Sequence, residues 1–389
     1  MIRQLSLLPE TSDTVTSALD SRSWAGSFNG KESSFHQLAP YVGKLKSGMV
    51  RALINRFSQK GETIFDPFCG SGVVPLESLL LGRQAVANDL NPYAYVLTMG
   101  KVSAPPTKQQ ALAQAQQVLA LIEAESTNCD TSDVAEWVTQ FFHPDTLREV
   151  VTAFAILRKD KDYFLLACLL GILQHVRPGF LSYPASHLTP YLRPQVYPKE
   201  QHPRMYEYRP LRPRLLAKIE RAYRREQVHE PWTENDYRVL QVNATHLPLK
   251  EESINHIVSS PPYFGALDYA RDNRLRLYFL GVHDWKALDN TLTASDKVYI
   301  PQMTQSLTEM HRVLTPGGYC VLVLGDVERN GKIRNTAEIL SDLATQVSQG
   351  GLRTEQIFTD EIPDERRSRR GTKTTKYERI LIMQKSEKA

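Results

Sequence analysis

Two short stretches of this chain combine residue types suited to moving a chemical group. The first is Asp66-Pro67-Phe68-Cys69-Gly70-Ser71-Gly72, closing the β-like run Thr63-Ile64-Phe65. Gly70 and Gly72 allow a sharp turn at the carboxyl edge of a sheet and a close backbone approach to a ligand. Asp89 closes the next β-like run, Gln84–Ala87, where an acidic side chain accepts hydrogen bonds from ribose hydroxyls. The turn lacks a third glycine at the spacing of a dinucleotide fingerprint, and no GxxxxGK[ST] occurs, which disfavours NAD and ATP.

The second stretch is Ser259-Ser260-Pro261-Pro262-Tyr263-Phe264, directly after the apolar run INHIV. Two prolines at a strand end fix φ and remove two backbone donors, leaving the carbonyls of Ser260 and Pro261 as acceptors for a cleft. An amine on an aromatic base is a poor nucleophile because its lone pair is delocalised into the ring. Acceptors around its two protons favour pyramidalisation, and the lone pair can then meet an electrophilic methyl group in line. Positioning and electrostatics carry such a step without a covalent intermediate. Tyr263 offers a flat face for an extruded base.

These turns need a scaffold, and the pattern around them supplies one. Ser47–Phe57 has apolar residues at helical spacing, Pro75–Leu81 reads as a helix, and Lys108–Glu125 is a strong helix. Strand, Gly-rich turn, helix, strand is the opening of a doubly wound α/β sheet. From 126 to about 235 this rhythm breaks, with helices expected at Asp133–Phe142, Asp145–Lys159 and Tyr163–His175 before a Pro-, Tyr- and Arg-rich stretch. Alternation resumes with strands at Tyr237–Gln241 and Ile254–Val258, and a helix at Tyr299–Leu314. PGGYCVLVLGD follows as turn and strand, then a helix at Thr336–Gln349 and strands at Arg353–Phe358 and Glu378–Met383. The expected organisation is a loose arm over 1–35, one α/β domain over 36–125 and 236–389, and a helical, basic insert over 126–235.

Net charge is +4 but unevenly spread. Tyr191–Glu226 holds ten Lys/Arg against four Asp/Glu, and Arg366–Lys376 six against none, so the two windows carry +12 and the rest −8. Tyr191, Tyr197, Tyr206, Tyr208 and Tyr223 are interleaved with the first window, a composition suited to a phosphate backbone with bases beside it. Candidate DNA contacts are His187, Arg193, Arg204, Arg209, Arg212 and Arg214, with Arg369 and Arg370 in the second run.

Here a family resemblance is plain. DPFCGSGVVPLESLLLGRQAVANDLNP and SSPPY resemble the cofactor and catalytic motifs of the amino-methylating, S-adenosylmethionine-dependent DNA methyltransferases. The likeness extends to APYVGKLKSGMVRALI, ALDYARDNRLRLYFLG and VLTPGGYCVLVLGD, covering about 36–100 and 236–385 but not the insert. It implies a class I, Rossmann-like, mostly parallel seven-stranded sheet. It also implies methyl transfer from S-adenosylmethionine to the exocyclic amine of a flipped base in double-stranded DNA. SPPY is more typical of the cytosine-N4 branch than of the adenine-N6 branch, which more often shows DPPY or NPPY.

Position by position, the resemblance assigns Asp66, Phe68, Gly70 and Gly72 to the methionine moiety, Cys69 to the same turn, and Asp89 to the ribose. Leu90 packs on adenine, and Lys44 lies in the segment that closes over the methionine end. An acidic residue usually holds the adenine amine; the equivalent stretch here is QVNATHLP, so Asn243, followed by Ala244, stands in its place. Ser260, Pro261 and Pro262 hold the target amine, and Tyr263 stacks on the base. The insert is the expected target-recognition region.

Other chemistries fit less well. Carbon-5 methylation needs a nucleophilic cysteine after proline, and no Pro-Cys dipeptide occurs; Cys69 reads as a small apolar residue. The histidines show no metal-ligand spacing, and Ser260 lacks a G-x-S-x-G context. Four separated cysteines without a CxxC pair indicate a reducing compartment. With no signal-peptide pattern and no apolar run of spanning length, the expectation is a cytoplasmic protein without membrane contact. A paired restriction or defence nuclease is a conceivable partner, and Gln4–Leu8 (QLSLL) resembles the peptide that docks on bacterial sliding clamps. An RNA-base methyltransferase and a non-catalytic nucleic-acid-binding subunit stay open as alternatives.

Overall fold

The structure is a computed structural model that describes Trp24 and residues 32–225, 231–262, 269–292, 296–329, 332–361 and 377–387. Among the described residues nine strands form two sheets: β1 (Thr63–Asp66), β2 (Gln84–Asn88), β3 (Tyr237–Leu240), β4 (His256–Ser259), β5 (Tyr319–Gly325), β6 (Val327–Arg329), β7 (Lys332–Arg334), β8 (Leu352–Glu361) and β9 (Tyr377–Lys385). β6 and β7 pair only with each other. The other seven form one sheet in the order β3-β2-β1-β4-β5-β9-β8. The first five run parallel, and β9 is antiparallel to both β5 and β8.

The chain winds outward from β1 in both directions, so the order reverses between β1 and β4. In doubly wound sheets the ligand crevice lies beyond the carboxyl ends of the strands at such a point. The turn after β1 and the turn after β4, DPFCGSG and SPP, stand there side by side.

Helices cover both faces. Val258, Val321 and Val323 pack with Met49, Leu53 and Ile54 of the helix Ser47–Phe57 and with Val73 and Val74 of the helix Val73–Leu80. On the other face Phe65, Ile257 and Leu322 pack against Asp296–Val313 and Thr336–Val347. A third apolar cluster joins helices Pro92–Val102, Lys108–Ser126, Pro144–Lys159, Tyr163–Ile172 and Leu211–Ala222. The insert's helices thus share one core with the two helices that precede them. Among the described residues no helix is long and apolar enough to cross a membrane.

Several elements differ from expectation for local reasons. Asp133–Phe142 is helical only over Glu136–Thr139. Phe141 and Phe142 both turn into the core, and His143 caps the next helix by accepting from the Asp145 N–H at 3.2 Å, so the chain must bend between them. Pro92–Val102 was not expected as a helix, although Asn91 caps it by accepting from the Tyr93 N–H at 3.0 Å and Pro92 opens it. Leu211–Ala222 is a helix inside the Pro- and Arg-rich stretch, with Leu211, Leu215, Ile219 and Ala222 buried along one side; Pro213 is tolerated in its first turn. Trp24, assigned to the loose arm, is instead 1% exposed, and its indole N–H donates to Asp360 Oδ2 at 3.1 Å.

Candidate active site

A cleft opens over the tips of β1 to β4, and its empty space, the open mouth included, is about 1050 Å³. Of the residues singled out by sequence, Lys44, Asp66, Phe68, Cys69, Gly70, Asp89, Leu90, Asn243, Ala244, Ser260 and Pro262 all line it. Gly70 and Pro262 therefore face one space from neighbouring strands.

Asp66 ends β1 and is 2% exposed. Its Oδ1 accepts from the Phe68 N–H at 3.2 Å and the Ser259 hydroxyl at 2.6 Å. Burial raises its carboxyl to about 7 against these two bonds, which favour the anion. Asp89 follows β2 and takes one N–H on each oxygen, Gly70 at 2.8 Å and Asn91 at 2.9 Å. Burial lifts it to about 6. Each Asp89 oxygen keeps a second lone pair for a ligand hydroxyl.

The two glycines do different work. A Cβ on Gly70, at φ +49°, would stand 3.1 Å from the Tyr41 ring, so the turn must be bare for Tyr41 to cover it. Gly72, expected at the ligand, is absent from the cleft wall. It has φ +74° and starts the helix Val73–Leu80 against the next helix, where a Cβ would lie 2.7 Å from Thr98 Oγ1. Its role is packing.

Cys69 is buried, with Sγ 3.3 Å from Thr98 Oγ1. Burial pushes its thiol well above the ordinary range, so it is a neutral packing group, as its sequence context suggests. Asn243 lines the cleft, and its Oδ1 accepts from the Thr245 N–H at 3.1 Å, which leaves one lone pair on that oxygen. Pro261 is buried between Ser260 and Pro262 and does not line the cleft. The Ser260 hydroxyl donates to the Val323 carbonyl at 3.0 Å. Its proton is thus committed to β5, and only lone pairs face the cleft.

Several site residues escaped the sequence reading. Asn88 donates from Nδ2 to the carbonyls of Pro67 and Val242, both at 3.1 Å, and accepts from the Val242 N–H at 3.0 Å, joining three strand tips. Lys101 Nζ donates to the Ser71 carbonyl beneath the turn, and burial lowers it to about 7. Tyr41, Tyr269, Tyr299 and Ser306 complete the wall. Asn88, Tyr41 and Tyr269 had a cue, lying in the stretches ANDLNP, APYVGKLK and ALDYARD, whereas Lys101, Tyr299 and Ser306 come from helices whose facing depends on tertiary packing.

The candidate DNA contacts separate. Arg209 is 4% exposed and donates to the carbonyls of Phe180, Ser182 and Met205, so it is a structural arginine and not a DNA contact. Arg212 forms a two-pronged pair with Glu123 at 2.5 and 2.6 Å, and Arg214 donates to the carbonyls of Pro178 and Pro210. His187 lies edge-on to His175 at 4.7 Å. Arg193 and Arg204 have no ion pair among the described residues, and Arg204 is exposed. Tyr263, Arg369, Arg370 and Gln4–Leu8 lie outside the described residues.

Residues 22–99, which hold the whole Gly-rich turn and Asp89, match a family model described as DNA methylase. Over those residues the chain is similar to that family. Among curated proteins it is similar to the Type II methyltransferase M.BsoBI of Geobacillus stearothermophilus, at 22% identity over 281 residues. That match takes in 66% of this chain and 54% of the relative, so this chain spans about half the relative's length. A solved DNA modification methylase of Thermus thermophilus, described as putative, is similar at 19% identity over 36% of this chain and 48% of that one, with a TM-score of 0.23. A solved SAM-dependent methyltransferase of Methanosarcina mazei is similar at 12% identity over 86% and 98%, with a TM-score of 0.36. At these scores neither likeness adds to the strand order as a statement of fold.

Proposed function

We propose that this chain methylates DNA at the exocyclic amine of a base flipped out of the duplex, using S-adenosylmethionine, with cytosine-N4 as the target and adenine-N6 the alternative. The observation that carries the reading is the shared cleft of Gly70 and Pro262 over adjacent strand tips. The residues present suit the donor: lone pairs on Asp89 for ribose hydroxyls, a side-chain-free turn at Gly70, and Lys44 in the cleft wall. Bound there, S-adenosylmethionine supplies an electrophilic methyl group on a sulfonium. Asp66 and Phe68 wall the methionine side, while Leu90 and Ala244 wall the base side.

Ser260 and the turn's carbonyls accept the amine's protons and aim its lone pair. Because the Ser260 proton is held by the Val323 carbonyl, the hydroxyl acts as an acceptor there. A duplex base must leave the stack to reach this depth, and Tyr263 gives it a face to rest on. The insert suits target recognition by position. Thr189 donates to Asp272 at 3.0 Å, and Arg274 donates to the Pro190 carbonyl, tying an insert loop to the segment after SPPY. Arg193 and Arg204 are the insert's remaining candidates for DNA.

The test is Tyr263→Ala. Methyl transfer to duplex DNA should fall by about a hundred-fold or more while the Kd for S-adenosylmethionine changes less than about three-fold. Methylation near the wild-type rate would remove this assignment, and long-read sequencing of DNA from expressing cells would name the base.

A further inference from the structure

We propose that Ser306 is a specificity residue for the donor, its hydroxyl bonding the polar edge of the purine base; this deepens the donor-site reading and rests on it. Ser306 lies on the helix Asp296–Val313, is 2% exposed and lines the cleft. Two other hydroxyls on that helix are satisfied in the usual helical way: Thr304 donates to the Ile300 carbonyl at 2.8 Å and Thr308 to the Thr304 carbonyl at 3.0 Å. Ser306 makes no such bond, nor any other among the described residues, and its oxygen is not sealed from the cleft. A hydroxyl that faces the cleft with no protein partner is bonded by water while the cleft is empty, so a ligand group that displaces that water is expected to take its place.

Sheet order says which part of the ligand. The strand tips stand in the row β3, β2, β1, β4. With the ribose at Asp89 on the β2 tip and the reacting end toward Pro262 on the β4 turn, the base lies toward β3. The Ser306 helix is fastened to that side. Glu309, one turn on, accepts from the Leu247 N–H at 2.7 Å, and Arg312 donates to the carbonyls of Leu247 at 3.0 Å and Leu249 at 2.8 Å. Those residues continue the loop that begins with Asn243, whose Oδ1 already accepts one bond from the Thr245 N–H. Leu90 and Met303 supply apolar cover there, and a hydroxyl can donate to a ring nitrogen or accept from an exocyclic amine.

The experiment is calorimetry on the full chain with Ser306→Ala, using S-adenosylhomocysteine and its analogue carrying unsubstituted purine, together with thermal melting of the free protein. Affinity for S-adenosylhomocysteine should fall about three- to ten-fold, and the wild-type preference over the purine analogue should shrink. The free variant should melt no lower than wild type, because a hydroxyl with no protein partner is removed and alanine favours helix; a merely structural serine would lower it. Unchanged affinity and preference would overturn the inference, as would a loss confined to duplex DNA, which would place the hydroxyl at the target base. Failure of the wild-type chain to bind S-adenosylhomocysteine at all would instead overturn the donor site itself.

Discussion

The two walls of the cleft are built differently. At the tips of β1 and β2 every chemistry-bearing group is tied down: Asp66 by Phe68 and Ser259, Asp89 by Gly70 and Asn91, and the turn itself by Asn88 and Lys101. At the tip of β4, Ser260 has one bond to β5, and beyond Pro262 the wall is completed by side chains from distant helices. A donor common to many reactions is met by local, rigid geometry, whereas a particular target is met by parts brought from elsewhere in the chain.

That contrast is most sharply broken by Asp89→Ala. Loss of a charged acceptor should weaken S-adenosylmethionine binding about a hundred-fold by calorimetry, with duplex DNA affinity nearly unchanged. The wild type should lose donor affinity in the same sense as pH falls through about 6, where the Asp89 carboxylate takes up its proton. An equal loss of DNA binding would mean the walls are not separate.

Arg209→Ala should destabilise the fold by roughly 2–4 kcal/mol in denaturant unfolding, because the buried Ser182 carbonyl and the half-buried carbonyls of Phe180 and Met205 lose their donor. Asp66→Asn should stabilise the free protein by about 1–3 kcal/mol at pH 8. The folded carboxyl is raised to about 7 from 3.8, so the wild type is fully stable only below about pH 4 and loses that stability up to about 7. The gain should therefore grow across that window and level off above it. Arg204→Ala should have the smallest effect. Stability should hold, DNA affinity should drop a few-fold, and the slope of log affinity against log salt should shrink by about 1.

Much of the sheet was legible because its signals are local. β1 and β2 are short apolar runs ending in Asp66 and Asp89, and their tips carry glycine or an acid at positions that backbone chemistry demands. The helix Pro92–Val102 was equally local, with Asn91-Pro92 as its start signal, but those two residues were read as part of the ligand turn. The insert was less legible for another reason. Arg209, Arg212 and Arg214 look alike in sequence, yet one is buried under three carbonyls, one pairs with Glu123 and one bonds two backbone carbonyls, and those partners are set by tertiary contact. Trp24 gave no local cue either, since its partner Asp360 lies on β8, far along the chain. Ser306 is invisible for the same reason: a serine in a helix reads as a filler until the cleft beside it is seen.

The Asn88 clamp has a consequence for how such a protein diversifies. One amide welds the ends of β1, β2 and the loop after β3, so no single one of them can be reshaped without straining the other two. Tolerated change is thereby channelled across the groove, toward the strand tip and helices that carry no such rivet, and under the proposed function a lineage of these proteins would keep its methyl source while exchanging the sites it marks.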